Sequence, residues 1–263
     1  MAESWAIFGG NTKYSSLGHS AFFGLAMYMF CLLSPYFPFL ACVIIGGLFA
    51  AFVAFLISIP FLRIHGPYFI IATYGLVEFF KALFLYYEVN YTHTVGRIVA
   101  VRVTLNDLYY CLLAVLIFTL ITHFIIKKSR FGFGLRGIKD EEEAAEVYGV
   151  NTAFYKIAAF TISSFFAGLC GGLLATRWVY IDPYVAFSST LSFESMLLAL
   201  LGGATRIEGP VIGSLIFISF GDYLRASYPM YYTIVLGAVL ILVIRFLPEG
   251  VVEPFLKTIK KIK

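Results

Sequence analysis

Two ionisable residues of opposite charge, Glu78 and Lys81, lie three positions apart inside a long apolar stretch of this 263-residue chain. In a helix that spacing places both side chains on one face, close enough to form an ion pair. An unpaired charge in an apolar environment is costly, so ionisable groups there often mark the path of a polar substrate. Glu78 could then meet an ammonium group. The alternative is a purely structural pair, neutralised within a bundle of helices.

Four further polar residues complete the candidate substrate path. Thr73 and Tyr74 precede Glu78 by about one helical turn and could offer hydroxyl groups to a zwitterion. His19 follows a glycine at the start of an apolar stretch, and Glu194 lies in a short apolar segment. For His19, a buried histidine with satisfied hydrogen bonds at a helix end is the alternative.

The elements that must position these residues are membrane-spanning helices. Sixty per cent of the residues are apolar, only 13% are charged and the mean hydropathy is +0.89; a soluble domain carries about 25% charge. About 20 apolar residues cross a bilayer as a helix. The stretches that satisfy or approach this length are Leu17–Leu33, Phe39–Ile59, Pro67–Tyr87, Leu108–Ile126, Tyr155–Ala175, Ser192–Gly203, Pro210–Leu224 and Tyr231–Leu247.

This pattern predicts an all-α integral membrane protein, a polytopic bundle of about eight hydrophobic segments that forms one domain over residues 1–263. Ser192–Gly203 and Pro210–Leu224 are short, as in half-helices or broken helices buried among other helices. With eight segments, residues 127–154 and the C-terminus lie on the same side as most lysines and arginines. The opposite side holds Arg97, Arg102, Arg177 and Arg225. The positive-inside rule therefore predicts a cytoplasmic 127–154 segment and a cytoplasmic C-terminus.

An island of charge between Lys127 and Glu146 connects two of the predicted spans. Within Asp140–Tyr148, Ala144, Val147 and Tyr148 share one helical face, and acidic residues occupy the first turn, where they complement the helix dipole. Gly149 suits the end of such a helix. We expect a short amphipathic helix, parallel to the membrane, that another protein could bind. A solvated charged loop is the alternative.

The stretch RGIKDEEEAAEVYGVNTAFYK (residues 136–156) resembles the EAA loop of ABC importer permeases, specifically the branched-chain amino acid family of the LivM/LivH type. Further patches similar to the family follow in order along the chain, and Tyr155-Lys156 favours the M-type subunit. These patches are SLGHSAFFGLAMY (16–28), LRIHGPYFIIATYGLVEFFK (62–81), LLALLGGATRIEGPVIGS (197–214) and RFLPEGV (245–251).

The resemblance implies a permease subunit of an ATP-driven importer in the plasma (inner) membrane of a prokaryote, with branched-chain amino acids as the default cargo. Its implied partners are two ATP-binding subunits, a sister permease, an extracytoplasmic substrate-binding protein and membrane lipid, but no nucleic acid. ATP and Mg would be bound by the partners, because this chain has no GxxxxGK[ST] motif. The residues implied to couple to the ATPase are Arg136, Glu142, Glu143, Ala144, Ala145, Glu146 and Gly149.

Two departures from the family pattern leave alternatives open. The chain begins where the family's second hydrophobic helix ends, so we expect the N-terminus to be short by one or two helices. NYTHTVGRIV (90–99) replaces the family's TGGSNGL-like loop, which leaves the cargo undecided. An importer of urea or short amides, or an ion-coupled secondary transporter using Glu78 and Lys81, are the alternatives. The sequence contains no GxSxG or HExxH motif and no metal-ligand spacing, so nothing in it predicts an enzyme or a metal site.

Overall fold

The computed structural model describes residues 1–99 and 103–227, and this part of the chain is folded almost entirely as helices. The helices are α1 (Ala2–Trp5), a π-helical turn (Ala6–Gly10), α2 (His19–Leu33), α3 (Phe39–Phe61), α4 (Pro67–Tyr87) with a π-helical extension (Glu88–Thr92), α5 (Leu105–Lys128), α6 (Arg130–Asp140), α7 (Glu142–Val147), α8 (Thr152–Ala175), α9 (Pro183–Ala186), α10 (Ser189–Gly202) and α11 (Gly209–Ser227). Strands β1 (Arg97–Ile98) and β2 (Tyr180–Ile181) form a two-stranded antiparallel ribbon.

Five helical stretches are long and apolar enough to cross a membrane, and α2 is a shorter apolar helix of 15 residues. The five are Phe39–Phe61, Pro67–Thr92, Leu105–Lys128, Thr152–Ala175 and Pro183–Gly202. An all-α, multi-pass membrane architecture is thus confirmed. The predicted span Tyr231–Leu247, the patch at 245–251, Arg102 and the C-terminal tail lie outside the described residues.

The segment predicted as a short half-helix or broken helix, Ser192–Gly203, is present as α10, a helix of 14 residues. Helix α9 precedes it, with Phe187 and Ser188 outside both helices, and together the two cover an apolar stretch of 20 residues, Pro183–Gly202. The Asp182 carboxylate accepts a hydrogen bond from the Val185 amide at 2.7 Å and caps the start of α9. Serines in α10 interrupt the apolar pattern, yet Ser192 is buried and its hydroxyl accepts from the Ser20 amide at 2.7 Å. The apolar stretch before Ser192 was not included in the prediction because its serines lower the hydropathy of the sequence.

Helix α8 lies at the centre of the bundle and packs on α2 and α3. A Cβ atom added to Gly168 would lie 3.0 Å from the Gly47 Cα, and one added to Gly172 would lie 3.2 Å from the Val43 Cα. Gly168 and Gly172, four residues apart on α8, therefore allow α8 and α3 to approach closely.

The bundle has two distinct ends. Helix α4 has 21 residues and is about 31 Å long, so Gly66 before it and Glu88 after it lie at opposite ends. We call the end that holds Gly66, α6 and α7 the coupling end. The turn between α10 and α11 is also at this end, because the Lys127 ammonium donates to the Thr205 carbonyl at 2.7 Å. The β ribbon is at the opposite end, since Gly96 donates its amide to the Glu88 carboxylate at 2.7 Å.

Candidate functional site

The charged island folds as two consecutive helices, α6 and α7. Helix α6 was not predicted, although Phe131, Leu135 and Ile138 follow helical spacing on its inner face. Its N-cap is Ser129, whose hydroxyl accepts from the Gly132 amide at 3.3 Å. The predicted short helix over Asp140–Tyr148 is present as α7, from Glu142 to Val147.

Helix α7 ends at a glycine whose backbone is left-handed. Gly149 has φ +83°, a conformation that costs a side-chain-bearing residue about 1–2 kcal/mol. The Gly149 amide donates to the Glu146 carbonyl at 2.9 Å and the Val150 amide donates to the Ala145 carbonyl at 3.0 Å. Gly149 therefore closes the helix as the sequence predicted.

One face of α7 is turned outward. Val147 and Tyr148 are 86% and 87% exposed, and Glu143 and Glu146 are exposed beside them. Ala145 is buried on the inner side, where a Cβ added to Gly137 would lie 3.6 Å from the Ala145 methyl group. The helix thus has an outer surface that carries an aliphatic, an aromatic and acidic side chains.

Glu142 faces the body of the protein and anchors α7 there. Its Oε1 is ion-paired with the Lys156 ammonium on α8, and its Oε2 accepts from the Tyr14 hydroxyl at 2.7 Å. Lys156 is 4% exposed and also donates to the Leu62 carbonyl at the end of α3 at 3.3 Å. The His65 Nδ1 lies 2.8 Å from the Tyr14 hydroxyl oxygen. We call Tyr14, Glu142 and Lys156 the α7 anchor.

Two groups of the α7 anchor, Glu142 and Tyr14, have pKa values moved away from neutrality. Burial alone would raise the pKa of the Glu142 carboxyl, but hydrogen bonds from Lys156 and Tyr14 outweigh burial and hold that pKa below its ordinary value. Burial and the hydrogen bond to Glu142 raise the pKa of the Tyr14 phenol. Glu142 is therefore an ionised acceptor, and Tyr14 is a neutral donor.

The other residues predicted to couple to an ATPase differ in how they are placed. Arg136 donates to the Lys127 carbonyl at 2.6 Å and lies over the Phe133 ring. Glu146 accepts from the Thr152 hydroxyl at 2.5 Å, so it also fixes the start of α8. Ala144 is half-buried. Glu143 and Gly149 are exposed, as are Arg136 and Glu146.

A cavity of about 360 Å³ lies beside the α7 anchor. Its walls come from three segments of the coupling end: residues 12–15, residues 65–70 and residues 138–142. The lining combines basic, acidic and aliphatic side chains.

The predicted ion pair in α4 is present. The Lys81 ammonium lies 2.7 Å from both carboxylate oxygens of Glu78, and the Ser189 hydroxyl on α10 donates to Glu78 Oε1 at 2.6 Å. The Glu78 side chain is 40% exposed, and Tyr74, one turn earlier on the same helix, is 45% exposed. Glu78, Lys81, Ser189 and Tyr74 form what we call the α4 polar face.

Two of the predicted path residues lie inside the bundle. His19 is buried, with its Nε2 atom 2.8 Å from the Ser163 hydroxyl oxygen, which itself donates to the Ser4 carbonyl at 2.6 Å. Thr73 is buried and accepts from the Leu17 amide at 3.0 Å. Glu194 is half-buried on α10.

A buried polar cluster near the chain start had no signal in the sequence. Glu3 Oε1 lies 2.6 Å from His123 Nδ1, and Asn11 Nδ2 lies 3.3 Å from His123 Nε2. Both partners of His123 lie more than one hundred residues away from it in the chain. His123 lies within a predicted span, and an ionisable residue in a span usually has a partner. The sequence does not show which residue that partner is. Among the described residues, no group of three or more His, Cys, Asp or Glu side chains is arranged to hold a metal ion.

The structure is a bundle of apolar helices with a charged pair on the outer face of α4 and an anchored amphipathic helix at one end. These features define the architecture of a multi-pass membrane protein. The family comparison agrees. The chain belongs to the branched-chain amino acid transport system / permease component family, which it matches over residues 1–244.

Individual relatives carry different cargoes. The high-affinity branched-chain amino acid transport system permease protein LivM of Escherichia coli K12 is 24% identical over 267 residues, covering 89% of this chain and 62% of the relative. The L-arabinose ABC transporter permease AraH of Azospirillum brasilense is 28% identical, and the ribose import permease RbsC of Haemophilus influenzae is 26% identical. These matches cover 47% and 46% of this chain, and 38% and 39% of the relatives. The chain thus spans less than two-thirds of the length of LivM. No solved structure gives a significant match.

Proposed function

We propose that this chain is a permease subunit of an ATP-driven ABC importer for branched-chain amino acids, in which α7 docks on a separate ATP-binding subunit. The observation that carries the proposal is the two-sided character of α7. Its inner side is fixed to α8 by the α7 anchor, while Val147 and Tyr148 on its outer side are more than four-fifths exposed. A helix held on one side and exposed on the other can pass a push from a partner to the membrane helices.

The outer surface of α7 suits a protein partner. Exposed apolar and aromatic side chains rimmed by charges are typical of interaction sites. On this proposal Tyr148 and Val147 form the apolar centre of the contact, and Glu143 and Glu146 form part of its acidic rim. A second permease subunit, two ATP-binding subunits and an extracytoplasmic binding protein complete the assembly.

The α4 polar face is our candidate for the substrate path. Glu78 is part of an ion pair and yet 40% exposed on the side of a membrane helix, and exposure of charge to hydrocarbon costs at least about 2.5–3.5 kcal/mol. Facing a sister permease across a polar path removes that cost. The α4 polar face offers groups that match an amino-acid zwitterion: the Glu78 carboxylate, the Lys81 ammonium and the hydroxyls of Ser189 and Tyr74.

The extent of the matches supports the proposed cargo. The match to LivM covers 89% of this chain, whereas the matches to the arabinose and ribose permeases cover less than half of it. The excess of lysine and arginine at the coupling end favours a cytoplasmic location for α7, in the inner membrane of a prokaryote. ATP and Mg would be bound by the partner subunits.

Reconstitution of the full importer in proteoliposomes tests this function. We expect uptake of leucine that requires ATP and the binding protein and does not respond to an ion gradient alone. Urea in excess should not compete with leucine. Uptake driven by an ion gradient without ATP would instead support a secondary transporter.

Two variants test the docking role of α7. Glu143→Lys and Gly149→Leu should each lower uptake by about tenfold, the effect of losing about 1.4 kcal/mol of contact energy, while the basal ATPase rate and membrane insertion remain. Arg63→Glu is the matched control, because Arg63 is an exposed charge at the same end outside α6, α7 and the cavity. Unchanged uptake by both α7 variants would refute the docking role.

A further inference from the structure

We propose that the cavity beside the α7 anchor is a regulatory site for a small zwitterion with an apolar side chain, an amino acid of the same class as the cargo. This inference rests on the proposed function, because it assigns the imported product as the ligand. It concerns a site at the coupling end that is separate from the α4 polar face. Occupancy of the site would slow the transport cycle when the product accumulates.

The lining of the cavity matches the three parts of such a ligand. Lys13 and Lys139 supply cationic groups for a carboxylate, Asp140 and Glu141 supply carboxylates for an ammonium, and Ile70 and Ile138 supply an aliphatic wall. The volume of about 360 Å³ is within the range of small-molecule sites, about 300–1,000 Å³. A site for a simple anion or cation would carry one sign of charge, whereas this lining carries both.

The charges that line the cavity are available to different degrees. Lys13, Asp140 and Glu141 are exposed. Lys139 is half-buried, and its ammonium uses one of three hydrogens to donate to the Gly10 carbonyl at 2.7 Å. Burial lowers the pKa of Lys139; the adjacent Asp140 carboxylate opposes this effect, and the nearby Lys13 adds to it. A carboxylate placed between the two ammonium groups would relieve their repulsion.

The backbone of Lys13 supports a role for this loop. Its φ of +61° is in the left-handed region, which costs a residue other than glycine about 1–3 kcal/mol and is enriched at ligand-binding sites. The residues on either side of Lys13 in the chain, Thr12 and Tyr14, also line the cavity. The α7 anchor residue Tyr14 is therefore the immediate neighbour of the proposed ligand-binding lysine.

The position of the cavity explains how a ligand would regulate transport. A ligand that bridges Lys13 and Asp140 would join the loop before α2 to the segment before α7. If α7 moves relative to the membrane helices during the cycle, a bridging ligand binds one arrangement better and shifts the population toward it. The expected result is a lower rate of ATP hydrolysis at high product concentration.

Binding of L-leucine to the permease–ATPase complex in lipid nanodiscs, without the substrate-binding protein, tests the site. We expect saturable binding with a half-saturation below about 1 mM, the upper end of typical KM values for enzyme substrates. Lys13→Gly removes the ammonium and tolerates the left-handed backbone, and Asp140→Asn removes one carboxylate. Each should weaken binding about tenfold or more, whereas Arg63→Ala should leave it unchanged. Leucine should also lower the ATPase rate of the wild type but not of Lys13→Gly.

Analogues separate zwitterion recognition from simpler binding. Isovalerate lacks the ammonium and isoamylamine lacks the carboxylate, so both should compete at least tenfold more weakly than leucine; equal competition by either would overturn the proposal. Leucine binding or inhibition that persists in both Lys13→Gly and Asp140→Asn would also overturn it. Two outcomes would overturn this inference alone, provided that ATP-driven uptake is intact. One is the absence of saturable leucine binding in nanodiscs, and the other is leucine binding that leaves the ATPase rate unchanged. Loss of ATP-driven uptake in the wild type would overturn the proposed function itself.

Discussion

Replacing Lys156 with methionine removes the cation that holds Glu142 and should loosen α7 without unfolding the bundle. Lys156 is buried on α8, while the Glu142 side chain is 20% exposed. Breaking a fully buried ion pair costs about 3–5 kcal/mol, and a hydrogen bond to a charged group contributes about 1.5–3 kcal/mol. Since water and Tyr14 can still reach Glu142, we expect a loss of about 2–3 kcal/mol in the free energy of local opening of α7.

Hydrogen exchange measures that local opening directly. The amides of Ala145, Tyr148 and Val150 donate to carbonyls within or next to α7, so they exchange when α7 opens. A loss of about 2–3 kcal/mol corresponds to about 30- to 150-fold faster exchange. Amides in the middle of α3 and α8 should keep their protection. Arg63→Met, which removes an exposed cation at the same end, should not change exchange in α7.

A double-mutant cycle isolates the interaction between the two side chains. Replacing a buried pair with apolar residues is often close to neutral, so Glu142→Leu combined with Lys156→Met should restore much of the protection. The Tyr14 hydroxyl keeps the His65 ring nitrogen as a partner at 2.8 Å. Additive effects of the two substitutions, or unchanged exchange in Lys156→Met, would refute the conclusion that this pair anchors α7.

Three further predictions concern pH, the α4 polar face and packing. The pKa of Glu142 lies below its ordinary value, so the ion pair with Lys156 is fully formed at any pH at or above the ordinary pKa of a glutamate. As pH falls through the lowered pKa, Glu142 takes up a proton and the α7 amides should lose their protection, which hydrogen exchange at acid pH measures. Glu78→Ala should lower leucine uptake more than it lowers protein abundance, and uptake should stay low in Glu78→Ala/Lys81→Met; recovery in the double variant would identify a purely structural pair. Gly171→Ala should lower the free energy of unfolding by about 1–3 kcal/mol, because its Cβ would meet the Phe23 carbonyl oxygen on α2. Gly75→Ala is the control and should not destabilise the protein, because there is open space around its Cβ. Equal melting temperatures for the two variants would contradict this packing.

Features that depend on local spacing were predictable from the sequence. The Glu78–Lys81 pair follows from an i, i+3 spacing in a long apolar helix. In the structure the Lys81 ammonium lies 2.7 Å from each carboxylate oxygen of Glu78. The start and end of α7 follow from acidic residues in a first turn and a glycine after the last turn. Helix propensity and dipole effects act over a few residues, so a short window of sequence contains the information.

Features that depend on distant contacts were not predictable. The spacing of the acidic residues of α7 does not show which of them is turned toward the bundle. That direction is set by Lys156 on α8 and Tyr14 before α2, which approach Glu142 only in the folded bundle. A loop motif alone therefore overstates its contact surface with a partner, because some of its charged residues hold the motif to its own protein. Glu143 and Glu142 are neighbours of the same type, and their opposite environments predict opposite phenotypes: Glu143→Lys should act on docking and leave exchange in α7 unchanged, whereas loss of Glu142 should act on exchange in α7 first.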